Sequence, residues 1–372
     1  MNNNYSIIQF IVTGYNPLDL LAVASENVTL KQQVAKLILQ NEQLMRETSR
    51  SSQQLESSSD PTLSFHTLKV TKRKDECVYY TGFSKGKFTS ILSFLVPDNK
   101  TCPFSTKKNL KCFKSLSLED QLLLVLVKLR QNFDFVHLSK LFKISSQDCS
   151  SLFSEWIQYM YFRFSSVSIW PHRDTIIGHM PKKFRKEFPN TLVIIDGTEI
   201  KIEKPSSLTR QSQCYSDYKS CTTLKGLVGI DPRGSIIFSS MLFTGNISDN
   251  EITRQSGFYK IIESHLKTGK ILPGDGVMAD KGFRINADLK GIGLELNIPP
   301  FTVSGTQMKD TDVELTEKIA RHRVHVERAI ARVKQFKILG GKVKLGLFSI
   351  VNQIWFSCCF LTNFMSPLIN DD

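Results

Sequence analysis

Two short apolar runs, LVII at 192–195 and VMA at 277–279, each end on an aspartate, Asp196 and Asp280. Runs of three or four apolar residues are too short for buried helices and read as strands covered on both faces. A buried strand that ends on an ionised group needs partners for it. In α/β sheets the crevice outside the strand ends is where ligands collect, so the two acids point to one place. Each aspartate also stands near a glycine, Gly197 directly and Gly282 two residues on. Taken alone, either acid is better explained by a turn or a helix cap.

The rest of the pattern is consistent with an α/β sheet domain. TLVIIDGTEIKIE, 191–203, extends the first run, and GLVGIDPRGSIIFSSMLFTG, 226–245, gives two strand-like runs around the turn sequence DPRG. EITRQSGFYKIIESHL, 251–266, reads as a helix, as do residues 313–337, and 350–365 reads as a buried closing helix. Ahead of the sheet the period is helical. LEDQLLLVLVKLR, 118–130, starts after Ser117 with Glu119 and Asp120 in its first turn, which suits a helix N-terminus. A helix over 135–142, a turn at KIS and a second helix from near Ser146 follow, the layout of a helix-turn-helix. A plain helical bundle gives the same spacing, and the second helix carries few basic residues. Trp170 and Pro171 are expected to fix the connection to the sheet.

Residues 1–22 form an N-terminal segment. Over 23–47 an apolar seam, Leu30, Leu37 and Leu44 with Asn27, Val34 and Asn41, predicts either a short coiled coil that pairs copies of the chain or an ordinary amphipathic helix. Residues 48–64 are Ser-rich and read as a flexible linker. The expected domains are then a helical one at 79–170 and an α/β one at 187–368.

Lys and Arg number 48 against 35 Asp and Glu, a net charge of +13. That excess favours a polyanion, DNA ahead of a membrane surface. No run of about eighteen apolar residues predicts a spanning helix, and the N-terminus lacks the pattern of a secretory signal. The eight cysteines form no CxxC pair and no zinc spacing, as expected of reduced thiols in an intracellular protein. LKVTKRK, 68–74, is a short basic patch that suggests nuclear import, without excluding the cytoplasm.

A third acid stands in RHRVHVERAIARVKQFKILGG, 321–341, where Glu327 is surrounded by Lys and Arg. On the helical period Glu327 shares a face with Arg323, while Val326, Ile330 and Val333 form a packed stripe. An ion pair with Arg323 is one reading. The other is a carboxylate aimed at Asp196 and Asp280. Three converging carboxylates repel unless divalent cations sit among them, and oxygen ligands suit Mg²⁺ or Mn²⁺. Two such ions about 3.5–4 Å apart serve in-line phosphoryl displacement.

The strings VIIDGTEI, YSDYKSCTTLKGLVGIDPRGSI, TGNISDNEI, GDGVMADKGF, NIPPF and RHRVHVERAIARVKQFKIL stand in that order. Together they resemble the catalytic domain of PIF/Harbinger-type DDE transposases, the DDE superfamily endonucleases, over 115–368. The resemblance implies a ribonuclease H-like fold behind a helix-turn-helix-like segment. It implies that Asp196, Asp280 and Glu327 are the catalytic, metal-holding acids, with two Mg²⁺ or Mn²⁺. Asp249 matches a further family aspartate often treated as a ligand, although Ser248-Asp249 before EITRQ is also what a helix N-cap looks like. Lys201, Lys204, Lys219, Lys225, Arg328 and Arg332 are candidate nucleic-acid contacts, and His322 and His325 are expected on the helix surface. Many relatives carry a THAP zinc-finger module, and no such spacing precedes residue 66. The expected activity is that of a metal-dependent nuclease or transposase. The alternative is a host-adopted DNA- or protein-binding factor that keeps the fold without cutting.

Overall fold

The computed structural model describes residues 63–70, 76–97, 115–301 and 309–369, and positions 40 and 43. The chain divides into two compact units, Met1–Thr62 and Leu63–Asp372. The expected coiled coil at 23–47 lies outside the described residues except for Gln40 and Gln43, which are helical and exposed. The N-terminal segment, linker residues 48–62 and basic residues 71–74 lie outside them too.

Fifteen α-helices and seven strands are described in the second unit. The first helices are α1 Phe65–Val70, α2 Glu76–Thr81, α3 Lys85–Leu95, α4 Leu118–Gln131, α5 Phe135–Phe142, α6 Ser146–Ser165, α7 Arg173–Gly178 and α8 Lys182–Glu187. Helical packing thus starts before the expected residue 79. Phe65 and Leu68 are buried, and Leu63 N donates to Leu141 O at 3.0 Å.

Side-chain caps set the helix-turn-helix. Asp134 accepts from His137 N at 2.7 Å to open α5, and Lys143 takes a left-handed φ of 53° to close it. Ser145 then accepts from Asp148 N at 3.0 Å to open α6. Ser145→Ala is expected to cost about 1 kcal/mol, read as a lower thermal midpoint; an unchanged midpoint would mean that packing alone holds the helix. The buried face of α6 includes Phe153, Trp156, Ile157 and Phe164. Trp156 Nε1 donates to Gln121 of α4 at 3.0 Å. The exposed positions include Ser146, Gln147, Gln158 and Phe162, and Arg163 is occupied by Phe94 O at 2.9 Å. The outward face of this helix therefore has little positive charge to offer phosphates.

The sheet comprises β1 Thr191–Lys201, β2 Tyr215–Ser216, β3 Cys221–Ile230, β4 Ile236–Ser239, β5 Phe243–Thr244, β6 Gly276–Met278 and β7 Glu295–Asn297. Its order is β2-β3-β1-β6-β7, with β4 and β5 also on β3. β1 is antiparallel to β3 and parallel to β6, so the sheet is mixed, as a ribonuclease H-like fold requires. The remaining helices are α9 Leu208–Cys214, α10 Asp249–Gln255, α11 Phe258–Lys267, α12 Asn286–Gly291, α13 Asp310–Lys334, α14 Lys337–Gly340 and α15 Val351–Thr362. The single helix expected over 251–266 is two, because Gly257 takes φ +81° between α10 and α11.

Alternation along the strands sends side chains into two cores. Val193, Ile195, Val277 and Ala279 pack with Phe258 and Ile262 of α11, and Trp170 joins them as the connection residue. Ile194, Ile200 and Met278 face Val326, Ala329 and Val333 of α13 and Ile354 and Trp355 of α15. The helical segment shares this second core, for Phe164 of α6 stacks on Phe360 of α15 at 4.1 Å. Residues 345–362 have the length and hydropathy of a membrane span, but they form a 3-10 turn and α15, mostly buried here. The six described cysteines are free thiols.

Candidate active site

Ile194 of β1 pairs with Met278 of β6 across the parallel ladder. Two residues further on each chain, on the same face by the period of extended backbone, come Asp196 and Asp280. That face is covered by α13, the helix that carries Arg323 and Glu327. Asp196 does not end its strand as expected, since β1 runs on to Lys201. The parallel pairing stops at Met278 instead, and that opens the sheet beside Asp196.

Arg323 stands between the two acids. Its terminal nitrogens lie 3.9 Å from Asp196 Oδ1 and 3.5 Å from Asp280 Oδ1, and its buried Nε has no hydrogen-bond partner. Burial pushes the Asp196 carboxyl up to about 6, against the charge of Arg323 and the Gly197 N–H donated at 2.9 Å; Asp280 and Asp249 add to the rise. Asp280 is more open, with its Oδ1 accepting from Lys281 N at 2.6 Å.

Asp249 joins this pair. Ser248 is the cap of α10, accepting from Glu251 N at 3.2 Å. Asp249, the next residue, is thereby left to turn its carboxylate to Lys225 Nζ at 2.8 Å. A Cβ at Gly197 would come within 2.7 Å of Asp249 Oδ1, and one at Gly282 within 3.4 Å of Oδ2. The two glycines that follow the strand acids are therefore the cradle of the third one.

Glu327 lies one helical turn beyond Arg323, exposed. The alternative reading of Glu327 as an ion-pair partner of Arg323 is not met, because the guanidinium is turned to Asp196 and Asp280. Among the described residues no three His, Cys, Asp or Glu side chains are grouped closely enough to hold a metal ion as they stand. The donor set nonetheless fits a hard divalent cation. Asp280 and Asp249 lie within electrostatic reach of Asp196, and the Arg323 guanidinium supplies positive charge between Asp196 and Asp280.

Several basic residues have other duties than those expected. Lys225 is mostly buried, paired with Asp249 and donating to Ile247 O at 3.2 Å, so its charge is spent inside the protein. Arg332 donates to Ser366 O and to Pro367 O, tying down the C-terminal segment. Lys201, Lys204, Lys219 and Arg328 are exposed, with the Lys219 ammonium 4.3 Å over the Tyr218 ring.

His322 is buried, not on the surface: its Nε2 lies 2.8 Å from Glu187 Oε2 and its ring packs on Phe184. Burial lowers its pKa while Glu187 opposes the shift. His325 is half-buried, and burial, with Arg328 and His322, pushes it down to about 4. The residue the sequence reading undervalued is Arg323, weighed only as a partner for Glu327. Its place four residues before Glu327, on the site-facing side of the helix, was the available signal.

A family model described as DDE superfamily endonuclease matches residues 195–363, and one described as helix-turn-helix of DDE superfamily endonuclease matches 114–166. An Arabidopsis thaliana protein described as "Protein ALP1-like" is 23% identical over 257 residues, 67% of this chain. The match spans 60% of that protein's length. No solved structure matches.

Proposed function

We propose, from the family models that match residues 195–363 and 114–166, that the chain acts as a DDE superfamily endonuclease and cleaves DNA phosphodiesters with the help of divalent cations. Asp196, Asp280 and Glu327 are the proposed catalytic acids, with Asp249 beside them as a further ligand. The observation that carries the reading is the parallel register. Pairing Ile194 with Met278 sets Asp196 and Asp280 side by side under the helix that bears Glu327.

Asp196, Asp280, Glu327 and Asp249 would hold Mg²⁺ or Mn²⁺, which would supply activation of water and neutralisation of the charge developing on the phosphate. The chain's own part is to hold the acids close without cations. Lys225 fixes the Asp249 carboxylate, Gly197 leaves room for it, and Arg323 offsets the repulsion between Asp196 and Asp280. The exposed lysines and Arg328 supply phosphate contacts, and the low charge on the outward face of α6 leaves that helix a small share of the affinity. A nuclear location, read from 68–74, belongs to the same proposal.

A second reading has one observation in its favour. Arg323 already neutralises two of the acids, as suits a DNA-binding factor that no longer cuts. The test is nicking of supercoiled DNA by the full chain with Mg²⁺ or Mn²⁺, against the same mixture with chelator. Metal-dependent nicks are expected; DNA that is bound but uncut under both metals would overturn the nuclease and leave the binding factor.

A further inference from the structure

Past Asp196, where β1 reaches Lys201, a cleft of ≈ 560 Å³ opens against α9 and Lys342, a volume within the range of about 300–1,000 Å³ usual for ligand sites. Its frame is rigid. Ile202 bridges to Val343, whose N–H donates to Lys201 O at 2.9 Å, and Glu203 N donates to Val343 O at 3.0 Å. Gln211 closes the other wall by donating to Pro205 O at 2.7 Å.

Three ammonium groups, Lys201, Lys204 and Lys342, line this one cleft, and all three residues are exposed. None is paired with a carboxylate among the described residues. Glu203, between the first two in sequence, turns its carboxylate to Leu345 N at 2.9 Å. Like charges gathered without a counter-charge repel, and an anion relieves that repulsion. The wall beside them is apolar and open: Tyr215 is 44% exposed and Leu208 80% exposed. Ammonium groups next to an exposed ring suit a nucleotide, with phosphate on the lysines and base on the aromatic face.

Lys334 of α13, partly desolvated, is within electrostatic reach of both Asp196 and Lys201.

We propose that this cleft binds a nucleotide of an unpaired DNA strand leading away from the bond to be cut, its base on Tyr215 and its phosphates among Lys201, Lys204 and Lys342. This rests on the DNA-cleaving reading and adds what that reading lacks, a preference for strand state. A paired base has no free face for Tyr215, so the cleft distinguishes a duplex with an unpaired extension from a blunt one.

Fluorescence polarisation of the full chain with chelator present tests it, comparing a blunt duplex with the same duplex carrying a short unpaired extension. Stacking of one base is worth about 1–3 kcal/mol, so the wild type is expected to bind the extended duplex about tenfold more tightly. Tyr215→Ala and Lys342→Gln should bring that ratio toward one, whereas Lys260→Gln on α11 should keep it. A 5-iodouracil in the extension should photocrosslink to the peptide that contains Tyr215. Blunt duplex bound with no gain from the extension would overturn the cleft and leave the nuclease standing. A gain that survives Tyr215→Ala and Lys342→Gln, or crosslinks only outside the cleft, would overturn it as well. Failure to bind either DNA would overturn both.

Discussion

Asp196→Asn is expected to lose DNA cleavage by at least about 10³-fold while the metal-free protein becomes more stable at neutral pH. The first effect follows from removing a charged ligand at the reacting centre. A bound cation stabilises transition-state charge by several kcal/mol, and each 1.36 kcal/mol is about tenfold in rate. The second effect follows from burial. The Asp196 carboxyl stands at about 6 against an ordinary 3.8, so keeping it ionised costs the metal-free fold ~3 kcal/mol.

The sign gives a profile. A carboxyl whose pKa is raised on folding helps stability most below its unfolded value, and that help is lost as pH rises through the folded one. Wild-type stability, measured without metal, should therefore fall between about pH 4 and pH 6 relative to Asp196→Asn. Cleavage rates and thermal midpoints at pH 5 and 7.5 check both effects together. A variant that is inactive because it is misfolded would lose both quantities. One that cuts at the wild-type rate would remove Asp196 from the centre.

The two strand acids were legible because burial and charge conflict within a few residues. Leu192 to Ile195 demand an interior, and Asp196 then needs a cation or a proton there. What could not be read was the register, since nothing local says that Ile194 meets Met278, and without that pairing a turn or cap aspartate was the better reading of each acid alone. Asp249 was ambiguous for a local reason. Ser and Asp are both good caps, and only the structure shows the serine taking the Glu251 N–H and leaving the acid to Lys225. The same pairing withdrew Lys225 from the candidate phosphate contacts, a long-range consequence of β3 lying beside β1.

Helix α13 illustrates the other limit. Val326, Ile330 and Val333 were placed on its buried stripe from periodicity, and all three are buried. His322, four residues before Val326, belongs to the same stripe and was misplaced because residue type was weighed above position. Its pairing with Glu187 makes the burial tolerable, and that partner lies 135 residues away. The break at Gly257 was readable in principle, since a glycine between two amphipathic stretches is a signal for positive φ.

Arg323→Gln is expected to bind Mn²⁺ about tenfold more tightly than the wild type, and to be less stable when no metal is present. Removing a unit positive charge about 4 Å from a cation site is worth about 1 kcal/mol in water-like surroundings and about 4 kcal/mol near a protein surface. The lower part of that range is the safer figure because Asp280 is open to solvent, and it corresponds to roughly one decade in affinity. Without metal the same change takes the guanidinium away from Asp196 and Asp280, while the Lys225 ammonium stays beside Asp249. The thermal midpoint should then drop, and its gain on adding Mn²⁺ should grow. Calorimetric titration with Mn²⁺ and thermal unfolding with and without the ion read these quantities without any need for cleavage. Weaker Mn²⁺ binding in the variant would reverse the interpretation, making Arg323 a support that orients the carboxylates toward the cation. Unchanged binding would mean that the guanidinium between Asp196 and Asp280 neither competes for the site nor shapes it. Glu327 would then need some other neighbour to bring it to the strand acids.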